Sequence, residues 1–146
     1  MTQRHTAIIA AYLLLKKGPH EILMLRRCNS GYCDGQWSLP AGHVEEGEPV
    51  ITTMIREAQE EIGITLKASD LHLAHVRDRQ ATDGHRLDFY FVCETWQGEP
   101  VVMEPNKASE LKWIADAQNE PEVIENVRQA ITSIFQGVNY SQENWP

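Results

Sequence analysis

Apolar and polar positions divide the chain into short extended stretches and two periodic ones. Thr6 to Leu15 is apolar almost throughout, which reads as a strand buried on both faces. Gly18-Pro19 turns the chain, and Glu21 to Arg27 reads as a second strand, the hairpin partner of the first. Cys28 to Gln36 carries Asn29, Ser30, Gly31, Asp34 and Gly35 and reads as a loop. Trp37-Ser38-Leu39 is a short strand stopped by Pro40, and Ala41 to Glu48 reads as a glycine-containing loop. Pro49 suits the first turn of a helix that runs to Ile62 and ends at Gly63. Leu71 to Asp78 and Leu87 to Thr95 alternate as strands around a turn at Asp83-Gly84, and Trp113-Ile114 reads as a last short strand. Pro121 opens a second helix, whose Val123, Ile124, Val127, Ile131, Ile134 and Phe135 keep the 3.6-residue period until Gly137. The polar tail, Val138 to Pro146, is expected to be loosely held, with Tyr140 and Trp145 able to tack it down. The pattern as a whole implies an α/β domain with two substantial helices.

Composition narrows the function classes. The 146 residues suit one domain, 1–146, large enough to bury a core without disulfide or metal staples. Thirteen Lys+Arg face 21 Asp+Glu, a formal net charge of −8. That balance disfavours duplex nucleic acid and anionic membrane surfaces, both of which need a basic face. An acidic chain that acts on an anionic substrate needs cations from elsewhere, and bound metal is the obvious source. Three cysteines without a CxxC pair, Cys28, Cys33 and Cys93, read as reduced thiols of a cytoplasmic protein. The apolar run Ala7 to Leu15 is too short to cross a bilayer, and Lys16-Lys17-Gly18-Pro19 follows it in place of a cleavage site.

The first helix carries the candidate chemistry. Ile51, Ile55, Ala58 and Ile62 form one stripe, expected to face the core. Glu57, Glu60 and Glu61 fall within an arc of about 100° elsewhere on the wheel. Like charges three and four residues apart cost a few tenths of a kcal/mol each on a bare helix, and no lysine lies on the helix to offset them. A solvated acidic face explains such a run. So does a hard-cation site, because Mg²⁺ binds through a few carboxylates plus substrate phosphates. Leu39-Pro40-Ala41-Gly42 precedes the helix and lets backbone approach a ligand closely.

Gly42, Glu48, Arg56, Glu57, Ala58, Glu60, Glu61, Gly63 and Ile64 together fit the pattern G-x5-E-x7-R-E-U-x-E-E-x-G-U. The chain is therefore identified as resembling the Nudix family, with Ala58 as a soft departure where a larger aliphatic is usual. The resemblance implies an α/β/α sandwich with a mixed sheet between helices. It also implies metal-dependent hydrolysis of a nucleoside diphosphate linked to another moiety, with Mg²⁺, or Mn²⁺ as a substitute. By the same pattern Glu57, Glu60 and Glu61 are metal ligands, joined by the Gly42 carbonyl, while Glu48, Arg56 and Gly63 are structural. Glu57 and Glu60 are also candidates for the catalytic machinery.

Further segments resemble the MutT-type branch of that family. Trp96-Gln97-Gly98-Glu99-Pro100, followed by Glu104, resembles the segment that supplies another acidic ligand or base, although a surface-loop glutamate explains Glu104 as well. Asn119 matches a position that reads a purine edge, and it also stands where it would cap the second helix. Arg27 matches a position that meets substrate phosphate, although a strand-end surface charge explains it as well, and His43 stands where relatives have Lys or Gly and could donate to phosphate or be a plain loop histidine. Motifs of the coenzyme A, ADP-ribose and dinucleoside polyphosphate branches are absent from the corresponding stretches. The implied reaction is conversion of a (deoxy)nucleoside triphosphate to monophosphate plus pyrophosphate. The alternatives are pyrophosphatase action on ADP-ribose, a nucleotide sugar or another phosphorylated metabolite, or a non-catalytic nucleotide sensor, which would tend to lose box carboxylates. The partner implied is a small nucleotide, and the chain is expected to be a monomer or homodimer.

The charge then acquires an address. Glu45, Glu46, Glu48, Glu57, Glu60 and Glu61 are opposed between Gly42 and Gly63 by Arg56 alone, a net −5 out of the total −8. The excess is local, where a divalent cation would reverse its effect on a pyrophosphate.

Overall fold

A computed structural model describes residues 3–146, so Met1 and Thr2 of the expected 1–146 domain lie outside the described residues. The first strand, β1 (Ile8–Lys17), is the axis of the molecule. Ala11, Leu13 and Leu15 point to one hydrophobic cluster and Leu14 to another, with Tyr12 packed against that second cluster. This is the two-sided burial expected of an unbroken apolar run, and each buried aliphatic contributes roughly 1.5–3 kcal/mol.

The remaining strands are β2 (Glu21–Arg27), β3 (Trp37–Ser38), β4 (Ala41–His43), β5 (His72–Ala81), β6 (Gly84–Cys93), β7 (Ala108–Ala115) and β8 (Tyr140–Glu143). The order along the sheet is β3-β2-β1-β6-β5-β8, with β4 paired to β1 and β7 to β2. β1 is shared along its length: Ala10 to Tyr12 pair antiparallel with β4, and Lys16 and Lys17 pair with β2. On its other edge β1 runs parallel to β6, so the sheet is mixed. Helix α1 (Val50–Ile62) covers one face and α2 (Glu125–Phe135) the other. The architecture is the expected α/β/α sandwich.

Five local expectations change. Ala41–His43 is a strand, not loop, because it completes the backbone hydrogen bonds of the first half of β1. The short strand at Trp113 extends to eight residues, since β2 offers β7 a full edge from Glu21 to Arg27. Pro121 does not start the second helix. Val123 bridges to Trp37, Trp37 N–H donates to the Glu122 carbonyl at 2.8 Å, and helix begins only at Glu125. Along α1, the fully buried residues are Thr53, Met54, Ala58 and Ile62, while Ile51 and Ile55 are partly buried. The apolar stripe is thus rotated toward Met54.

The tail is the fifth difference. Tyr140–Glu143 adds to the sheet as a parallel strand on β5, so it is not loosely held. Tyr140 and Trp145 both contribute, through the Asp78 carboxylate and the Asp78 carbonyl. Buried His75 adds two bonds, Nδ1 with the Val138 carbonyl and Nε2 with Ser141 Oγ, both at 2.7 Å. Burial pushes its imidazole below the ordinary histidine range. Among the described residues no helix is long and apolar enough to cross a membrane.

Candidate active site

The site is assembled around the junction of β4 and α1. Gly42 pairs with Ala11 in the sheet, and its missing side chain is filled by Glu57. A Cβ at position 42 would stand 2.1 Å from Glu57 Cδ, inside any permissible contact. Glycine is therefore required here by proximity. At the far end of the helix Gly63 adopts φ 71° and donates to the Gln59 carbonyl, the left-handed terminus that a side chain resists.

Arg56 is the hub of the loop–helix connection. Its Nε and Nη2 reach the two Glu48 oxygens at 2.8 and 3.0 Å, a forked pair. Its Nη1 lies 2.8 Å from Glu57 Oε1 and 3.3 Å from Glu60 Oε2. Nη2 also donates to the His43 carbonyl at 3.3 Å. One guanidinium thus gathers three of the acidic side chains and pins the residue after Gly42. Thr53 Oγ1 gives Glu48 a further donor.

Those bonds hold the Glu48 carboxyl down at about 2, first through Arg56 and then Thr53. A folded-state value below the ordinary 4.5 stabilises the fold fully above about pH 4.5, and that contribution is lost as pH falls toward 2. Melting curves should therefore show the parent chain's advantage over Glu48→Gln constant near neutrality and shrinking below pH 4.5. A difference that stays constant down to pH 2 would contradict the pairing.

Glu61 has the opposite environment. Burial, then the neighbouring Glu57 charge, pushes its carboxyl up to about 9, against a backbone N–H from Ala41 at 3.1 Å. Beside the Glu57 charge, the neutral form of Glu61 is favoured.

Glu57 and Glu61 open into a cleft of about 480 Å³, with Glu104 and Arg27 also on its wall. His43, Gly42 and Lys107 line it as well. Arg27 is oriented by an Nε–H bond to the Tyr32 carbonyl at 2.9 Å, within a loop that the Asp34 carboxylate ties to the Ser30 and Gly31 amides. Glu104 arrives on a turn closed by Lys107 and Ala108 N–H bonds to its carbonyl, and Lys107 Nζ lies 3.4 Å from its carboxylate.

Glu60 stands half-exposed on the rim, outside the cleft wall. Asn119 is outside it too. Its amide donates to both Asp116 oxygens from a short 3-10 turn, and α2 has no side-chain cap, so Asn119 is not its cap. Phe89 packs with the α1 cluster and Tyr90 is buried in the other; neither lines the cleft. Lys107 and Asn106 were missed from sequence. The signal available was weak: their closeness in sequence to Glu104.

A hard cation is tested by this donor set. The groups are all oxygens, the glycine cradle brings backbone against Glu57, and Glu61 stands beside the Glu57 charge with no basic side chain bonded to it among the described residues. Among the described residues no three acidic, His or Cys side chains already stand in metal-ligating geometry. Arg56 explains this, since it holds Glu57 and Glu60. A divalent cation here would need Glu57 and Glu60 to turn from the guanidinium toward it.

The NUDIX domain family model matches residues 3–132. The chain belongs to the Nudix family. It is 34% identical over 124 residues to Nudix hydrolase 6 of Arabidopsis thaliana, covering 80% of this chain and 42% of that protein. It is 29% identical over 87 residues to the 8-oxo-dGTP diphosphatase of Escherichia coli K12, covering 60% and 66% respectively. Among solved structures, a MutT NUDIX hydrolase from Burkholderia pseudomallei superposes with a TM-score of 0.76 at 27% identity, over 88% of this chain and 98% of that one. The chain spans less than two thirds of these two curated relatives' own length. The Nudix pattern from Gly42 to Ile64 maps here onto β4, the Arg56-pinned loop and α1, so its spacing is that of one strand–loop–helix unit.

Proposed function

We propose that this Nudix chain is a metal-dependent pyrophosphohydrolase that converts a (deoxy)nucleoside triphosphate to monophosphate and pyrophosphate. The observation that carries the reading is the meeting of Glu57, Glu61 and Glu104, from two separate segments, with Arg27 in one cleft. Such an acidic wall suits a polyphosphate only when a cation is present. Mg²⁺, with Mn²⁺ as a substitute, is assigned to Glu57, Glu60, Glu61 and the Gly42 carbonyl. When bound, the cation polarises the phosphoryl group and acidifies an attacking water.

The protein's own groups do the rest. Glu104 shares the cleft wall with Glu57 and Glu61 and is assigned to proton removal, with Glu57 and Glu60 completing the catalytic carboxylates. Arg27 and His43 hold phosphate oxygens. Glu48, Arg56 and Gly63 fix the loop and helix. Asn119, engaged with Asp116 outside the cleft, receives no base-reading role. The diphosphatase name of the Escherichia coli relative supports a triphosphate substrate. Three free thiols accord with a cytoplasmic enzyme.

A nucleotide panel with Mg²⁺, with products identified, tests the reading. Release of monophosphate plus pyrophosphate from a triphosphate is expected. Activity confined to ADP-ribose or a nucleotide sugar would replace the substrate, and no hydrolysis across the panel would leave a nucleotide-binding protein.

A further inference from the structure

His43 is held at both ends by arginines that come from different parts of the chain. β1 lies between β4 and β6, with Ala10 paired to His43 on one side and to Asp88 on the other, and Ile8 paired to Arg86. Arg86 Nη2 lies 2.6 Å from His43 Nε2. A guanidinium has donors only. His43 Nε2 therefore accepts, and the ring hydrogen sits on Nδ1, since the bond made by one ring nitrogen decides the state of the other. The His43 carbonyl is meanwhile fixed by Arg56. Among the described residues His43 Nδ1 meets no protein acceptor, while the residue lines the acidic cleft.

Arg86 lies near the buried Asp88 carboxylate two positions along β6, which is itself bonded to Arg79 at 2.7 Å. The carboxylate paired with Arg86, Asp83, is exposed and 3.9 Å away. Its Nε is buried without a partner. Among the described residues Arg86 thus makes its one side-chain hydrogen bond, through Nη2, to the His43 ring.

We propose that Arg86 is a positioning residue: it fixes His43 as the Nδ1–H tautomer, so that this N–H donates to a non-bridging oxygen of a diphosphate in the cleft. The assignment rests on the pyrophosphohydrolase reading. A donor already locked in place needs no reorganisation when the anion arrives. Arg27 and Lys107 reach the cleft from the β2–β7 side. His43, held by Arg86 of β6, adds a further donor to the same cleft from β4.

Nitrogen NMR of the histidine rings in the full metal-free chain reads the tautomer directly. The parent chain is expected to show His43 protonated at Nδ1 and bare at Nε2. Arg86→Met keeps the aliphatic stem but removes every donor, and is expected to release the ring to the other tautomer. Arg86→Lys, which still donates, is expected to keep it. Binding of inorganic pyrophosphate with Mg²⁺ should weaken about tenfold in Arg86→Met and in His43→Ala, the scale of one hydrogen bond to a charged group. The double variant should be no weaker than His43→Ala. An Nε2–H tautomer in the parent chain overturns the assignment, whether or not Arg86→Met folds; so do an unchanged tautomer in a folded Arg86→Met and additive losses in the double variant. A nucleotide panel without hydrolysis would remove the broader reading while leaving the tautomer and pyrophosphate results to stand, so the two failures are separable.

Discussion

Glu57→Gln is expected to lower triphosphate turnover about 10³-fold, equivalent to about 4 kcal/mol of transition-state stabilisation. Glu57 is the carboxylate that joins every feature of the site. It fills the space beside Gly42, lies 2.8 Å from Arg56, raises Glu61 by its charge and lines the cleft. Glutamine keeps the shape and an oxygen for Arg56 but removes the charge that a cation needs. Thermal stability should therefore hold while rate and metal affinity fall together, which initial-rate kinetics and calorimetric Mn²⁺ titration will measure. Glu60→Gln, on the rim, should fall by about ten- to a hundredfold, the range for losing one supporting group at a metal site. A Glu57→Gln enzyme of parental rate would remove the metal assignment altogether.

Gly42→Ala is the second large effect. Its backbone lies outside the positive-φ region, so alanine costs nothing in conformation. The cost is contact. The new methyl would overlap Glu57 Cδ, Oε1 and Cγ at 2.1, 2.2 and 2.4 Å, and the carboxylate must leave. A displacement on that scale costs about a hundredfold in rate, and overpacking costs about 1–3 kcal/mol in stability. Gly47→Ala is the control. It has φ 77° with nothing within 4 Å of an added Cβ, so it should lose about 1 kcal/mol of stability through strain and keep its activity. Turnover and urea unfolding of the two variants would distinguish them. Equal activities would show that the Gly42–Glu57 contact has no functional weight.

The acidic site was legible where its spacing is local. Glu57, Glu60 and Glu61 share a face because helix geometry repeats every 3.6 residues. Glu48 reaches Arg56 because it stands just before the helix and Arg56 lies about two turns into it. Glu104 was visible only as a resemblance. Its place in the cleft depends on a turn that packs the segment before β7 against Cys28 and Asn29, through the Lys107 and Asn106 carbonyls. Arg86 was invisible: it stands 43 positions from His43, and nothing in either neighbourhood marks the pair. Asn119 shows the reverse error. A residue of suitable type before a proline suggested a cap, but the Glu122 carbonyl and the Ile124 N–H were recruited to hydrogen-bond Trp37, and the helix started later.

The sequence by itself determined the two-sided burial of β1, the run of α1 from Val50 to Ile62 with its left-handed stop at Gly63, and the clustering of negative charge there. Each follows from a period or a residue preference acting over a few neighbours. Tertiary structure decided which edge each backbone segment completes. It turned Ala41–His43 and Tyr140–Glu143 into strands, lengthened β7, delayed α2 and brought Arg86 to His43. The physical reason is that unpaired backbone groups must find partners when water is excluded, and those partners lie far away along the chain, where local periodicity carries no record of them.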